Sequence, residues 1–202
     1  MTTPVAEAPA APARGMRERI LDAANELFYA QGFRAVSAEK IAERVGITKV
    51  TFYRHFPSKE LLMIAYLEQR AAQERDILSR LIDAAAADPT HGMRPALDAV
   101  AAGDGAGYRG CPFINAAAEY SDPAHPVRVI VARHRRWLAE SFERFLRSHG
   151  VPDAELADAA AEFMILRDGV AVSSYLDDPA VAQKALSTAA TAILRARVHA
   201  AP

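Results

Sequence analysis

The stretch VGITKVTFYRHFPSKE, Val45 to Glu60, decides how this chain is read. Phe52 and Phe56 are four apart and share one side of any helix, while Lys49, Arg54, His55 and Lys59 crowd the remainder. A solvated helix has no use for the aromatics, and a buried one would not carry so many basic groups. Thr48 suits the N-cap of a short helix ending near His55, because Pro57 excludes helical angles at the residue before it. Ser58 suits the cap of a fourth helix that runs to about Ala86. Gly46 closes the preceding helix, which Ser37 caps and whose inner face is Ile41, Ala42 and Val45. Two short helices joined around Gly46 make a helix-turn-helix, whose second helix enters the DNA major groove. Thr48, Lys49 and Thr51 then meet base edges, and Tyr53, His55 and Lys59 anchor on phosphates.

Charge agrees with this. From Arg14 to Lys59 there are nine basic and five acidic residues, a net of +4, whereas the whole chain of 202 residues sums to −1. A basic end on an acidic body suits an anionic partner. One cysteine, Cys111, excludes an intrachain disulfide and a cysteine-based zinc cluster. No apolar run approaches the about 20 residues of a membrane span. The opening MTTPVAEAPAAPARG is Ala/Pro-rich and is expected to be a disordered tail rather than a signal peptide. A cytoplasmic protein with no membrane partner is expected.

Elsewhere the periodicity is helical, and an all-α fold is expected. The first helix spans about Arg17–Ala30 with Ile20, Leu21, Ala24, Leu27 and Phe28 inward, and Gly32 ends it. The fourth carries an apolar stripe of Leu61, Ile64, Ala65, Leu67, Leu78, Leu81 and Ile82. Later helices are expected near Arg94–Ala102, Phe113–Tyr120, Pro126–His149, Asp153–Leu176 and Pro179–Val198, with turns at ADPTHG and SDPAHP and a connection at GDGAGYRG.

The run ILDAANELFYAQGFRAVSAEKIAERVGITKVTFYRHFPSKELL resembles the tetracycline-repressor (TetR) family of bacterial transcription regulators. Its landmarks are Gly32, Ser37, Ile41-Ala42, Gly46-Ile47, Tyr53-Arg54-His55-Phe56 and Ser58-Lys59-Glu60. The resemblance implies about nine helices and three regions: a tail over 1–15, a DNA-binding head over 16–62, and a ligand-binding and dimerisation body over 63–202. It also implies a homodimer on a pseudo-palindromic double-stranded operator, a small-molecule effector in the body, a fourth helix that transmits the signal, and a dimer interface on the last two helices. There Ala157, Ala160, Ala161, Val170, Ala171, Ala185, Ala189 and Ala192 would allow close approach. DNA contacts fall on Ser37, Thr48, Lys49, Thr51, Tyr53, His55 and Lys59. Pocket candidates are Cys111, Phe113, Asn115, Trp137, Phe163, Met164 and Arg167, with Arg167-Asp168 either a ligand handle or a salt bridge across the dimer. ARHRRW, Ala132 to Trp137, reads as a solvated basic face. No catalytic pair, metal spacing or cofactor motif stands out. The expected function is a ligand-responsive repressor. The alternatives are a redox-responsive regulator acting through Cys111, a regulator without effector, and a metabolite-binding enzyme or carrier.

Overall fold

The structure is a computed structural model that describes residues 15–87 and 107–198. Eight α-helices are found among them: α1 Met16–Gln31, α2 Ala38–Val45, α3 Lys49–His55, α4 Lys59–Ala87, α5 Pro112–Glu119, α6 Pro126–Ser148, α7 Leu156–Leu176 and α8 Pro179–Val198. A 3₁₀ turn, Asp153–Glu155, leads into α7, so the expected helix from Asp153 starts three residues late. There is no strand among the described residues. The expected helix near Arg94–Ala102, most of the ADPTHG and GDGAGYRG connections and the tail lie outside them.

The helix ends follow from the sequence. The Gly15 N–H donates to Glu18 Oε2 at 3.1 Å and opens α1. Ser37 Oγ accepts from Lys40 N at 3.2 Å, Thr48 Oγ1 from Thr51 N at 3.2 Å, and Ser58 Oγ from Leu61 N at 3.1 Å. Each cap takes up one of the free N–H groups of a helix start. Gly46 sits at φ 77°, ψ 39°, the left-handed conformation that lets α2 stop and the chain turn into α3.

Packing then fixes the short helices. Phe52 and Phe56 are almost wholly buried against Ile20, Ala24 and Ile41 of the same cluster, together with Leu62, Tyr66 and Leu67 of α4. Phe28, Phe33 and Tyr66 form a triangle of edge-on rings with centroids 4.9, 5.8 and 5.7 Å apart. That cluster runs on through Cys111, Phe113 and Ala116 of the α5 region to Val127, Ile130 and Val131 of α6. A second cluster joins the far part of α4 to α6, α7 and α8 through Leu78, Leu138, Phe145, Phe163 and Leu186. Leu61 departs from the expected stripe. It is 47% exposed, because the inward face of this turn is taken by Leu62, Met63, Tyr66 and Leu67, and Leu61 points away from it.

Phe52→Ala is expected to destabilise the protein by about 3–5 kcal/mol, the transfer and cavity cost of a buried Phe. Val50→Ala, at a position 71% exposed on the same helix, should change stability by less than about 0.5 kcal/mol. Denaturant titrations of both variants check this.

Candidate DNA-reading head and buried polar centre

Helix α3 turns Phe52 inward and leaves Lys49, Val50, Tyr53 and Arg54 exposed on its outer side. Thr51 is half-buried, and its hydroxyl lies 3.1 Å from that of Thr48, so the two threonines stiffen the entry to the helix. Lys49 Nζ lies 2.6 Å from Glu39 Oε1, bridging α3 to α2. The hydrogen bond from Lys49, then the backbone amide of Glu39 and the Ser37 hydroxyl, pull the Glu39 carboxyl down to about 2. Ser37 itself is occupied as the α2 cap. His55 is half-buried at the α3 end, and Arg17 stacks its guanidinium over Phe56 at 4.6 Å. Lys59 starts α4 half-buried, and burial lowers its pKa although Glu119 opposes the shift. These seven residues therefore occupy one short helix and the two helix starts beside it.

In the body the pocket candidates divide. Cys111 and Phe113 belong to the first buried cluster, Phe163 and Met164 to the second, and Trp137 packs on the second from its rim. Asn115 is exposed and donates from Nδ2 to the Arg109 carbonyl at 2.8 Å, away from the others. Arg167 lies between the clusters, 6% exposed, with its Nη2 3.1 Å from Glu74 Oε1 and its Nη1 3.2 Å from Asp168 Oδ1. Arg135 Nη1 reaches Asp168 Oδ2 at 2.7 Å. Arg167 thus pairs with carboxylates of its own chain. Burial by itself would lower its pKa, but Cys111 and then Glu74 outweigh that and hold it above the ordinary value. Burial would raise Glu74, but the hydrogen bond with His134 and the charge of Arg167 keep it low.

His134 corrects the reading of ARHRRW as a solvated face. It is 1% exposed, with Nε2 3.0 Å from Glu74 Oε2 and its ring stacked 3.9 Å from Phe113 and 5.9 Å from Trp137. Its Nδ1 has no hydrogen-bond partner among the described residues. Arg133 and Arg136 are exposed, the former paired with Glu68, while Arg135 and Trp137 are half-buried, so only part of the run faces water. The signal was present: His134 falls in the apolar register of Val127, Ile130, Val131 and Leu138. Glu74 likewise sits between Ala71 and Leu78 on the inward side of α4. No group of His, Cys, Asp and Glu able to hold a metal occurs among the described residues.

The comparisons agree with the geometry. Residues 20–66 match the family profile described as bacterial regulatory proteins, tetR family. A TetR-family transcriptional regulator from Streptomyces coelicolor, known from its crystal structure, superposes with a TM-score of 0.81 at 32% identity, covering 90% of this chain and 95% of that one. The HTH-type transcriptional regulator LmrA of Bacillus subtilis is 27% identical over 156 residues, 76% of this chain and 82% of LmrA. The uncharacterized HTH-type regulator YvkB of the same organism is 36% identical over 67 residues; that match covers 33% of this chain and only 35% of YvkB. A helix-turn-helix followed by a body that is helical throughout its described residues is the build of a DNA-binding transcription regulator. The chain belongs to the TetR family of transcriptional regulators.

Two expectations follow for the head. Lys59→Ala should weaken binding on all DNA sequences alike and flatten the dependence of log K on log salt by about one unit of slope. Lys49→Ala should alter base preference and should also return the Glu39 carboxyl toward the ordinary carboxylate range. NMR titration reads that return. With Lys49 present the bridge holds above the unfolded carboxylate pKa and is lost as pH falls toward about 2.

Proposed function

We propose that this protein is a dimeric repressor that binds a pseudo-palindromic operator through α3 and leaves it when a small molecule occupies the body. The observation that carries the reading is the division of α3 between buried Phe52 and the exposed side chains of Lys49, Tyr53 and Arg54. A helix held so tightly from behind presents its polar face as a fixed shape, as groove reading requires. Ser37, Thr48, Lys49, Thr51, Tyr53, His55 and Lys59 supply the DNA contacts. The head comprises residues 16–62 and the body residues 63–202.

The effector of this proposal sits at His134, which stacks with Phe113 and Trp137 and is joined through Glu74 to Arg167. A buried imidazole nitrogen with no partner among the described residues, between aromatic rings, suits a flat molecule with a hydrogen-bonding group. Cys111 is buried at the α5 N-cap, which speaks against free reaction with oxidants. The redox alternative therefore ranks below a bound effector, and Cys111→Ser should still bind DNA and respond to effector.

The dimer is placed on α7 and α8. Along α7, Ala161, Ile165, Gly169, Val172 and Leu176 are exposed at intervals of three and four residues, and Val181, Ala185, Thr188 and Ala192 do the same on α8. Ile165, Leu176 and Val181 are 72%, 67% and 65% exposed, an apolar strip that water disfavours. Of the small residues expected at the interface, Ala160, Val170 and Ala171 are buried within the chain's own core, while Ala157, Ala161, Ala185 and Ala192 face outward. No helix among the described residues is long and apolar enough to cross a membrane, and a cytoplasmic regulator suits the reading.

Selection from random duplex DNA by the full-length protein tests the reading: two inverted half-sites should be enriched, and recovery of unrelated sequences would defeat it. The double variant Ile165→Glu/Val172→Glu should sediment as a folded monomer and lose the paired half-site preference. A dimer that persists would move the interface elsewhere.

A further inference from the structure

Beside the apolar cluster they share, in which the Phe33 ring packs on Tyr66 and Tyr120, the head is held to the body by two further ties. One is the covalent step from α3 through Pro57 and Ser58 into α4. The other is polar and joins the turn between α1 and α2 to α5. At the far end of α5, Glu119 Oε1 accepts the backbone N–H of Phe33 and Oε2 that of Arg34, both at 2.8 Å. Arg34 Nη2 returns a hydrogen bond to the Glu119 carbonyl at 2.7 Å. At the near end, the Tyr29 hydroxyl donates to the Gly110 carbonyl at 3.0 Å and accepts from Arg109 N at 2.9 Å, while Arg109 reaches the Ala30 carbonyl. One short helix of the body thus grips the end of α1 at both of its own ends.

Glu119 is the carboxylate of this grip, beside the guanidinium groups of Arg34 and Arg109. Phe33 and Arg34 lie in a turn that makes no helix of its own, so their N–H groups are satisfied from the body. A carboxylate taking two consecutive N–H groups is a charge-assisted and geometrically narrow contact. Gly32 is shaped to it: a Cβ there would sit 2.8 Å from Glu119 Oε1, and the residue has φ +82°. Apolar packing tolerates small rotations, whereas this polar tie is satisfied in one orientation of the turn.

We propose that Glu119 is the residue that sets the angle of the DNA-reading head on the body, and through it the half-site spacing that the dimer accepts. This rests on the dimeric, DNA-reading function proposed above. Each added base pair turns one half-site by about 35° and moves it by about 3.4 Å relative to the other, so a rigidly held pair of heads tolerates one spacing. Freed heads tolerate several, with the base preference of α3 unchanged.

The test is selection of duplex DNA from a random pool by full-length wild type, Glu119→Ala and Glu140→Ala. Glu140 is an exposed carboxylate on α6 and controls for loss of charge. Wild type and Glu140→Ala should recover one half-site motif at one dominant spacing. Glu119→Ala should recover the same motif over at least three neighbouring spacings, and its penalty for a one-base-pair change should shrink by about tenfold. Thermal melts and sedimentation establish that each variant is folded and dimeric. Should Glu119→Ala not fold, Glu119→Gln, which cannot accept both N–H groups through carboxylate oxygens, takes its place with the same expectation. An unchanged spacing distribution overturns the proposal, as does a lost half-site motif or equal broadening by Glu140→Ala. Failure of wild type to enrich paired half-sites instead defeats the underlying reading of function and is seen separately.

Discussion

Burial of Phe52 and Phe56 is the constraint on which the head depends. Helix α3 has seven residues, well below the length at which a helix survives in water by itself. Its threonine cap and its i→i−4 hydrogen bonds are too few to hold it. It exists because two aromatic rings leave water on one side, into a space lined by α1, α2 and α4. The same burial fixes the rotation of α3 about its axis, and so determines which side chains point outward. Folding and DNA reading are in this sense one interaction seen from two sides.

The polar centre of the body follows a different logic. Four charged groups and a histidine meet where α4, α6 and α7 approach, between two apolar clusters. Burying Arg167 without Glu74 and Asp168 would be prohibitive, and the carboxylates need it equally. Such a set specifies one arrangement of three helices more sharply than apolar packing does, because a shift of one turn would leave a buried charge alone. Helix α4 contributes Glu74 here and Leu62, Tyr66 and Leu67 to the core behind α3. At about 1.5 Å per residue its 29 residues span about 43 Å, a stiff link between the polar centre and the head. Any rearrangement of Glu74 therefore acts on the element that leads to α3.

The junction through α5 adds a second link. Tyr120, just past that helix, stacks on His125 at 4.3 Å and donates its hydroxyl to Met63 of α4 at 3.6 Å. Cys111 and Phe113, at the other end, reach the polar centre. Head, α4 and polar centre thus close a loop of contacts rather than a chain, and a displacement in the body has two ways to reach the head.

The sequence by itself determined the helices and the reading head. Caps at Ser37, Thr48 and Ser58, the stops at Gly32, Gly46 and Pro57, and the four-residue spacing of Phe52 and Phe56 are local signals, each with a local physical cause. Most helix boundaries are accordingly within one or two residues of expectation. What lay beyond reach was set by partners distant in the chain. His134 carries a solvent-like neighbourhood of arginines, yet its helical phase and Glu74, sixty residues earlier, put it inside. Leu61 reads as core and stays at the surface because its neighbours Leu62 and Met63 take the covered side of that turn. Glu119 has no sequence signal at all: its meaning comes from two backbone N–H groups of a turn 85 and 86 residues away. Periodicity tells which face a residue is on, but only the tertiary structure decides what lies opposite that face. For polar groups the partner opposite is what makes burial affordable.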